Sequence, residues 1–197
     1  KRYLMIAIIQ YNAGNATSVK NAVESLGFDC EITSDQQKIR AAEKVIFPGV
    51  GAAQSAMLYL KTYGLDNCIQ KLQQPVLGIC LGQQLLCAHS EEGNTTGLGI
   101  FNAKVKRFPA NGTVPHMGWN TITPVKETAL LEGITAYDDV YFVHSYYCEP
   151  TSETVATCDY ILPFSAVMQK DNFYATQFHP EKSAGIGLQI LNNFLKL

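Results

Sequence analysis

The chemistry of this chain starts at Gly78-Ile79-Cys80-Leu81-Gly82-Gln83-Gln84. Glycines stand two residues either side of Cys80, the spacing of a nucleophile elbow with cysteine in the place of serine. An elbow holds its central residue in a sharp turn, and its flanks must be small because backbone segments pass close there. A sulfur so placed points out at the carboxyl end of a sheet. It also lies at a helix N-terminus, whose dipole favours the reactive thiolate. Pro75-Val76-Leu77 before the elbow reads as strand, and Leu85-Leu86-Cys87-Ala88-His89 after it reads as helix. The plain alternative is a small, inert cysteine buried at a strand end.

A thiolate nucleophile needs a base, and the base needs an orienting group. Gln177-Phe178-His179-Pro180-Glu181 holds both within three residues. Pro180 would stop a strand and fix the local turn. Residues two apart in an extended segment point the same way, so Glu181 would reach the imidazole of His179. It would then hold one tautomer and stabilise the imidazolium, completing a Cys80–His179–Glu181 triad. Alternatively, His179 is a turn histidine beside a solvated glutamate. Acyl transfer also needs donors for a developing oxyanion. The elbow offers the backbone N–H of Leu81. Pro48-Gly49-Val50-Gly51 ends a neighbouring strand, and its glycines free the backbone to present the N–H of Val50, although an ordinary strand-ending turn reads the same way.

The elements that must position these residues alternate in the first half. Leu4 to Ile9 is apolar on both faces, as in strands covered by helices on both sides. Thr17 or Ser18 would cap a helix running to about Leu26, which Gly27 ends. Strands follow at Phe28–Ile32 and Lys44–Phe47, with helical pattern over Ala52–Tyr63 and Leu65–Gln73. This alternation predicts an open α/β sheet, mostly parallel, with flanking helices. After about Gly97 the segments are short and strand-like: Ile100–Phe108, Trp119–Thr123, Val140–Val143, Thr154–Cys158, Ser165–Gln169 and Phe173–Gln177. They read as an antiparallel extension, closed by a helix over Ala184–Leu195. No linker or repeat divides the chain, so one domain over 1–197 is expected.

Composition narrows the function classes. Apolar residues make up 47% of the 197, and the formal charge is −2 with no long run of either sign. That pattern argues against disorder, a nucleic-acid footprint and a polybasic membrane patch. The opening Lys1–Ile9 has only a short apolar run with no small-residue cleavage site after it, and reads as a buried strand rather than an export signal. Six irregularly spaced cysteines without Cys-x-x-Cys are expected to stay reduced in a cytoplasm. The four histidines have no zinc-like spacing, so neither metal nor cofactor is expected.

Taken together, Pro-Gly-Val-Gly, Gly-Ile-Cys-Leu-Gly-x-Gln and Gln-Phe-His-Pro-Glu, in this order, resemble the class I (triad) glutamine amidotransferases. The resemblance covers essentially the whole chain. Pro115-His116-Met117-Gly118-Trp119-Asn120 and Tyr141-Phe142-Val143-His144-Ser145-Tyr146 are similar to segments of one branch of that family, the glutaminase subunits that supply ammonia in histidine biosynthesis. The resemblance implies that Cys80 attacks the side-chain amide of glutamine, forms a thioester and releases ammonia. His179 would protonate the leaving nitrogen and activate water, and Glu181 would orient His179. Gln84 and Glu92 would hold the glutamine, with the Glu92 carboxylate facing its α-ammonium group, and Gly51 and the His144-Ser145-Tyr146 strand would complete that pocket. A solvated helix end is the other reading of Glu91 and Glu92.

The same resemblance implies a heterodimer with a (β/α)8-barrel cyclase that receives the ammonia through its barrel. His116, Met117, Trp119, Asn120 and Lys182 would face that partner. Trp119 would be an exposed anchor in a loop-like, polar-flanked segment; its alternative is a core tryptophan, and that of Lys182 an ordinary surface charge. One departure stands out. Where the family often has Asp-Tyr-Gly-x-Gly-Asn, this chain has Gln10-Tyr11-Asn12-Ala13-Gly14-Asn15, so Gln10 replaces a carboxylate and Asn12 a glycine. The competing functions are the glutaminase of another triad amidotransferase, a non-catalytic subunit on the same fold, and a stand-alone cysteine hydrolase.

Overall fold

The structure, a computed structural model, describes residues 5–197. Its first half alternates strand and helix as β1 (Ile6–Ile9), α1 (Ala16–Ser25), β2 (Cys30–Thr33), α2 (Gln36–Ala41), β3 (Lys44–Phe47), α3 (Ala53–Thr62), α4 (Leu65–Gln70), β4 (Val76–Ile79) and α5 (Leu81–Leu86). The second half is mostly strand: β5 (Cys87–Ser90), β6 (Thr95–Thr96), β7 (Phe101–Arg107), β8 (His116–Thr121), β9 (Thr123–Pro124), β10 (Asp139–His144), β11 (Tyr146–Cys148), β12 (Thr154–Tyr160), β13 (Leu162–Lys170) and β14 (Phe173–Thr176). Helix α6 (Ala184–Leu195) closes the chain. Leu4, part of the expected first strand, lies outside the described residues.

The main sheet has eight strands in the order β2-β1-β3-β4-β14-β13-β12-β9. The five from β2 to β14 run parallel, and β13, β12 and β9 extend the sheet antiparallel. The expected mixed α/β architecture is therefore observed. Both sheet faces are covered, and the central strands show how. Ile6 and Ile8 of β1 pack with Val19 and Val23 of α1 and Ile190 and Phe194 of α6. The alternate Ala7 and Ile9 pack on the other side with Met57 and Leu60 of α3 and Ile69 of α4. The period-2 alternation of a strand thus serves two apolar layers at once. Two smaller sheets, β11-β7-β5-β6 and β10-β8, stand against this core.

Several local expectations are corrected. Helix α1 begins at Ala16, and its cap position is Asn15 in a left-handed conformation (φ 82°) with no side-chain cap bond, so neither Thr17 nor Ser18 caps it. Helix α2 was not anticipated; Asp35 starts it by accepting from the backbone N–H groups of Gln37 and Lys38. Cys87–Ser90 is not helix. It leaves α5 after six residues and pairs in parallel with β7. Gly97 allows this turn, since a Cβ there would lie 2.0 Å from the Cys87 carbonyl oxygen. The last strand, placed by sequence in the antiparallel extension, instead lies parallel to β4, with Ala175 opposite Gly78 and Thr176 opposite Ile79. That register decides the site. No helix among the described residues is long and apolar enough to cross a membrane.

Candidate active site

The parallel neighbours β4 and β14 end side by side, so the residues after them meet at one sheet edge. The Cys80 N–H donates to the Thr176 carbonyl at 2.8 Å. Cys80 itself has φ 54° and ψ −106°, a left-handed conformation rare for a residue with a side chain. The elbow geometry needs its glycines. A Cβ on Gly82 would sit 1.9 Å from the Phe47 carbonyl oxygen, and one on Gly78 would sit 2.7 Å from Leu86 Cδ1. The turn thus pins α5 against β3 and aims residue 80 out of the sheet.

His179 follows β14 and is fully buried. Pro180–Lys182 forms a 3-10 turn, not the extended segment expected. Ser183 braces that turn: its hydroxyl donates to the His179 carbonyl at 2.6 Å and accepts from the Tyr141 N–H at 2.9 Å. Across the turn, His179 Nδ1 donates to Glu181 Oε1 at 2.8 Å, with both side chains wholly buried. Nδ1 must carry the proton because a carboxylate only accepts. Burial alone would push the imidazole down; the adjacent Cys80 sulfur and the Glu181 carboxylate outweigh it and bring it up to about 10. Among the described residues, neither His179 Nε2 nor Glu181 Oε2 has a hydrogen-bond partner.

A cavity of about 340 Å³ opens over the sulfur. Its walls include Gly51, Gln84, Glu92, His144, Ser145 and Tyr146, the residues that the resemblance assigned to the glutamine pocket. Glu92 Oε2 accepts from the Ala53 N–H at 2.8 Å, which sets this carboxylate at the start of α3. Glu91 turns the other way and accepts from the Arg107 N–H at 2.8 Å, so the two acidic residues divide between site and scaffold. A larger groove of about 720 Å³ runs from Pro124 to Ile134. It does not include the Cys80–His179 pair, and the smaller cavity is the one joined to the chemistry.

The two expected oxyanion donors are differently placed. The Leu81 N–H already donates to the Gly49 carbonyl at 3.2 Å. Gly49 carbonyl and Val50 N–H belong to one peptide plane and point in opposite directions, so the Val50 N–H faces away from the elbow. Gly51 beside it has φ 114°, a conformation open to glycine. The Tyr11 hydroxyl donates to the Pro48 carbonyl at 2.7 Å and would lie 2.0 Å from any Cβ on Gly49. Burial, with the Cys80 sulfur nearby, holds the Tyr11 phenol well above its ordinary value, so it remains a donor.

Two further residues join the site without having been singled out. Asn15 Nδ2 donates to Glu181 Oε1 and lies 3.5 Å from His179 Nδ1. Buried Gln177 donates from Nε2 to the Cys80 sulfur at 3.7 Å and accepts from Gln84 Nε2 at 3.0 Å. Both stand in quoted motifs, but no spacing rule connects Asn15 to a residue 166 positions away. Of the expected partner-facing residues, Met117 and Trp119 are 63% and 53% exposed, and Lys182 is exposed. Met117–Asn120 is strand, not loop, and its alternation puts Met117 and Trp119 outward. His116 is only 3% exposed because the same alternation turns it inward, where it stacks on Tyr160, and Asn120 is likewise on the inward side, its amide donating to the Asp159 carbonyl at 3.2 Å rather than facing outward as expected.

The family Glutamine amidotransferase class-I matches residues 7–197. The imidazole glycerol phosphate synthase subunit HisH of Bacteroides fragilis is 55% identical over 197 residues, covering 98% of this chain and all of that protein. The same subunit from Pasteurella multocida is 47% identical over 97% of each chain. A crystal structure of a glutamine amidotransferase superposes with a TM-score of 0.76 over 97% of each chain at 18% identity, a likeness of fold alone. On its full-length match to the family and to these subunits, the chain belongs to the class-I glutamine amidotransferases, in their HisH branch.

Proposed function

We propose that this chain is a single glutamine amidotransferase domain over residues 1–197, acting as the glutaminase subunit of an imidazole glycerol phosphate synthase. Cys80 attacks the side-chain carbonyl carbon of glutamine. The C–N bond breaks, the nitrogen takes a proton from His179 and leaves as ammonia, and a γ-glutamyl thioester remains. Water then attacks the thioester, gives its proton to His179, and releases glutamate and the cysteine sulfur. A raised imidazole suits the first step, because the proton is ready at Nε2 for the leaving nitrogen. Glu181 holds the tautomer from Nδ1. Glu92 faces the substrate's α-ammonium group, and Gln84, Gly51, Ser145 and Tyr146 complete the walls. The observation that carries the reading is Cys80 on a glycine-bounded elbow, beside the His179–Glu181 pair, under a cavity of small-molecule size.

Met117, Trp119 and Lys182 form the partner face, which docks on a (β/α)8-barrel cyclase in a cytoplasmic heterodimer. The cyclase performs the lyase chemistry, and ammonia passes to it through a channel, since in water it would be mostly protonated. The oxyanion site is completed when the Gly49–Val50 peptide turns over, freeing the Leu81 N–H and presenting that of Val50. Glutamine hydrolysis is accordingly slow without the cyclase and its ligand, and comparable turnover with and without them would refute this gating. The deciding experiment is Cys80→Ala in the assembled enzyme. Glutamine-dependent synthesis should vanish while ammonia-dependent synthesis persists, and equal loss of both would contradict the division of labour.

A further inference from the structure

Two buried histidines outside the triad form a chain of hydrogen bonds with a defined direction. His144 Nδ1 lies 2.7 Å from the Tyr146 carbonyl oxygen, which can only accept, so Nδ1 carries the proton. His144 Nε2 lies 3.0 Å from His116 Nδ1. With one proton on His144, its Nε2 is an acceptor and His116 Nδ1 is the donor. His116 Nε2 is then an acceptor, and the Asn120 amide supplies the hydrogen at 3.4 Å. That amide cannot be reversed: its oxygen accepts from the Thr121 N–H at 2.9 Å, and its nitrogen donates to the Asp159 carbonyl at 3.2 Å. The chain therefore runs Asn120, His116, His144, Tyr146, every member acting in one sense. Both imidazoles must be in the Nδ1–H tautomer, and a second proton on either ring would set donor against donor.

The surroundings enforce neutrality. Phe108, Phe142 and Phe164 all lie within 5.0 to 5.6 Å, centroid to centroid, of the His144 ring, and Tyr160 stacks on His116 at 3.9 Å. Burial pushes His116 down to about 4 and His144 down to about 3, with the charge on His179 adding to the effect on His144. The chain ends on a wall of the cavity over Cys80. The Tyr146 carbonyl also accepts from Gln84 Nε2 at 3.0 Å, and Gln84 reaches Gln177, which touches the sulfur.

We propose that His116 and His144 are positioning residues. As an uncharged relay they hold the Tyr146 carbonyl, and through it Gln84, in place against the bound substrate. This rests on the reading of the cavity as a glutamine site. The strand that begins the relay, β8, is also the one that turns Met117 and Trp119 outward, so the same bonds tie the exposed hairpin to the substrate wall.

The test has two parts. Long-range proton–nitrogen NMR of the imidazole rings in the full chain reads the tautomers directly. Both rings should be neutral and Nδ1-protonated at pH 7; an Nε2–H tautomer or an imidazolium at either position overturns the proposal. Steady-state glutamine hydrolysis with the cyclase present gives the second readout. His144→Phe keeps an aromatic ring and removes the donor, and should raise KM for glutamine by about five- to tenfold with kcat changed less than threefold. His144→Asn returns an N–H near the position of Nδ1 and should restore KM to within about twofold of wild type. An unchanged KM in His144→Phe, or no recovery in His144→Asn, overturns it. A wild-type enzyme that hydrolyses no glutamine would instead refute the functional reading, leaving the tautomer result to stand or fall alone.

Discussion

Asn15→Gly isolates the contribution of one hydrogen bond to the triad. The Asn15 amide donates to Glu181 Oε1, the oxygen that also receives the His179 proton, while Oε2 is buried with no partner among the described residues. Among the described residues, the amide is thus the one side-chain donor besides His179 that supports this carboxylate. A hydrogen bond to a charged group is worth about 1.5–3 kcal/mol. Where that bond aligns the Glu181–His179 pair for proton transfer in the transition state, its loss converts to about a 10- to 150-fold fall in kcat/KM. Backbone strain must be kept apart from this. Asn15 has φ 82°, which glycine adopts freely, whereas alanine there costs about 1–2 kcal/mol more. Asn15→Gly and Asn15→Ala should therefore lose similar activity, while alanine alone adds a further fall in Tm. The assays are glutamine hydrolysis with the cyclase present and thermal unfolding of the isolated chain. Wild-type kcat/KM in Asn15→Gly, or activity losses that track Tm across the two variants, would refute the reasoning.

Other outcomes follow from the same geometry. Gly82→Ala drives a Cβ to 1.9 Å from the Phe47 carbonyl oxygen. It should destabilise the chain by about 3 kcal/mol or more, lowering Tm by roughly 6–12 °C; an unchanged Tm would show that the elbow is not held against β3. Because the His179 imidazole is raised to about 10, its stabilisation is fully present below its unfolded value near 6.5 and is lost as pH rises through 10. Unfolding measured from pH 6 to pH 10 should show that decline in wild type, and a parallel curve in His179→Asn would exclude His179 as its source. Trp119→Ala removes an aromatic side chain 53% exposed and should weaken cyclase binding by about 2 kcal/mol, roughly 30-fold, with Tm nearly unchanged. Titration of labelled cyclase would expose the error if affinity stayed the same.

What could be read from residue order alone was whatever depends on short spacings. The glycines at 78 and 82 announce a close approach at the elbow because a Cβ at either position would strike atoms at fixed places. The alternation of strand and helix in the first half follows from apolar periodicity, and the helix over Ala184–Leu195 is bounded as expected. Local patterns failed where long-range pairing outweighed them. Cys87–Ser90 has a helical look, but the edge offered by β7 makes it strand. Met117–Asn120 is polar and glycine-containing, but the pairing of Tyr141 with Trp119 makes it strand as well, and so turns His116 inward.

The site itself divides along the same line. Residue types and motif order named Cys80, His179 and Glu181. Only the parallel register of β14 on β4 places the first beside the second, 99 positions apart in the chain. Asn15 on Glu181, the Gly49 carbonyl on Leu81 and the His116–His144 relay are equally products of packing. A buried polar group must find its partner wherever the fold happens to bring one, and sequence spacing carries no information about a partner supplied by another layer.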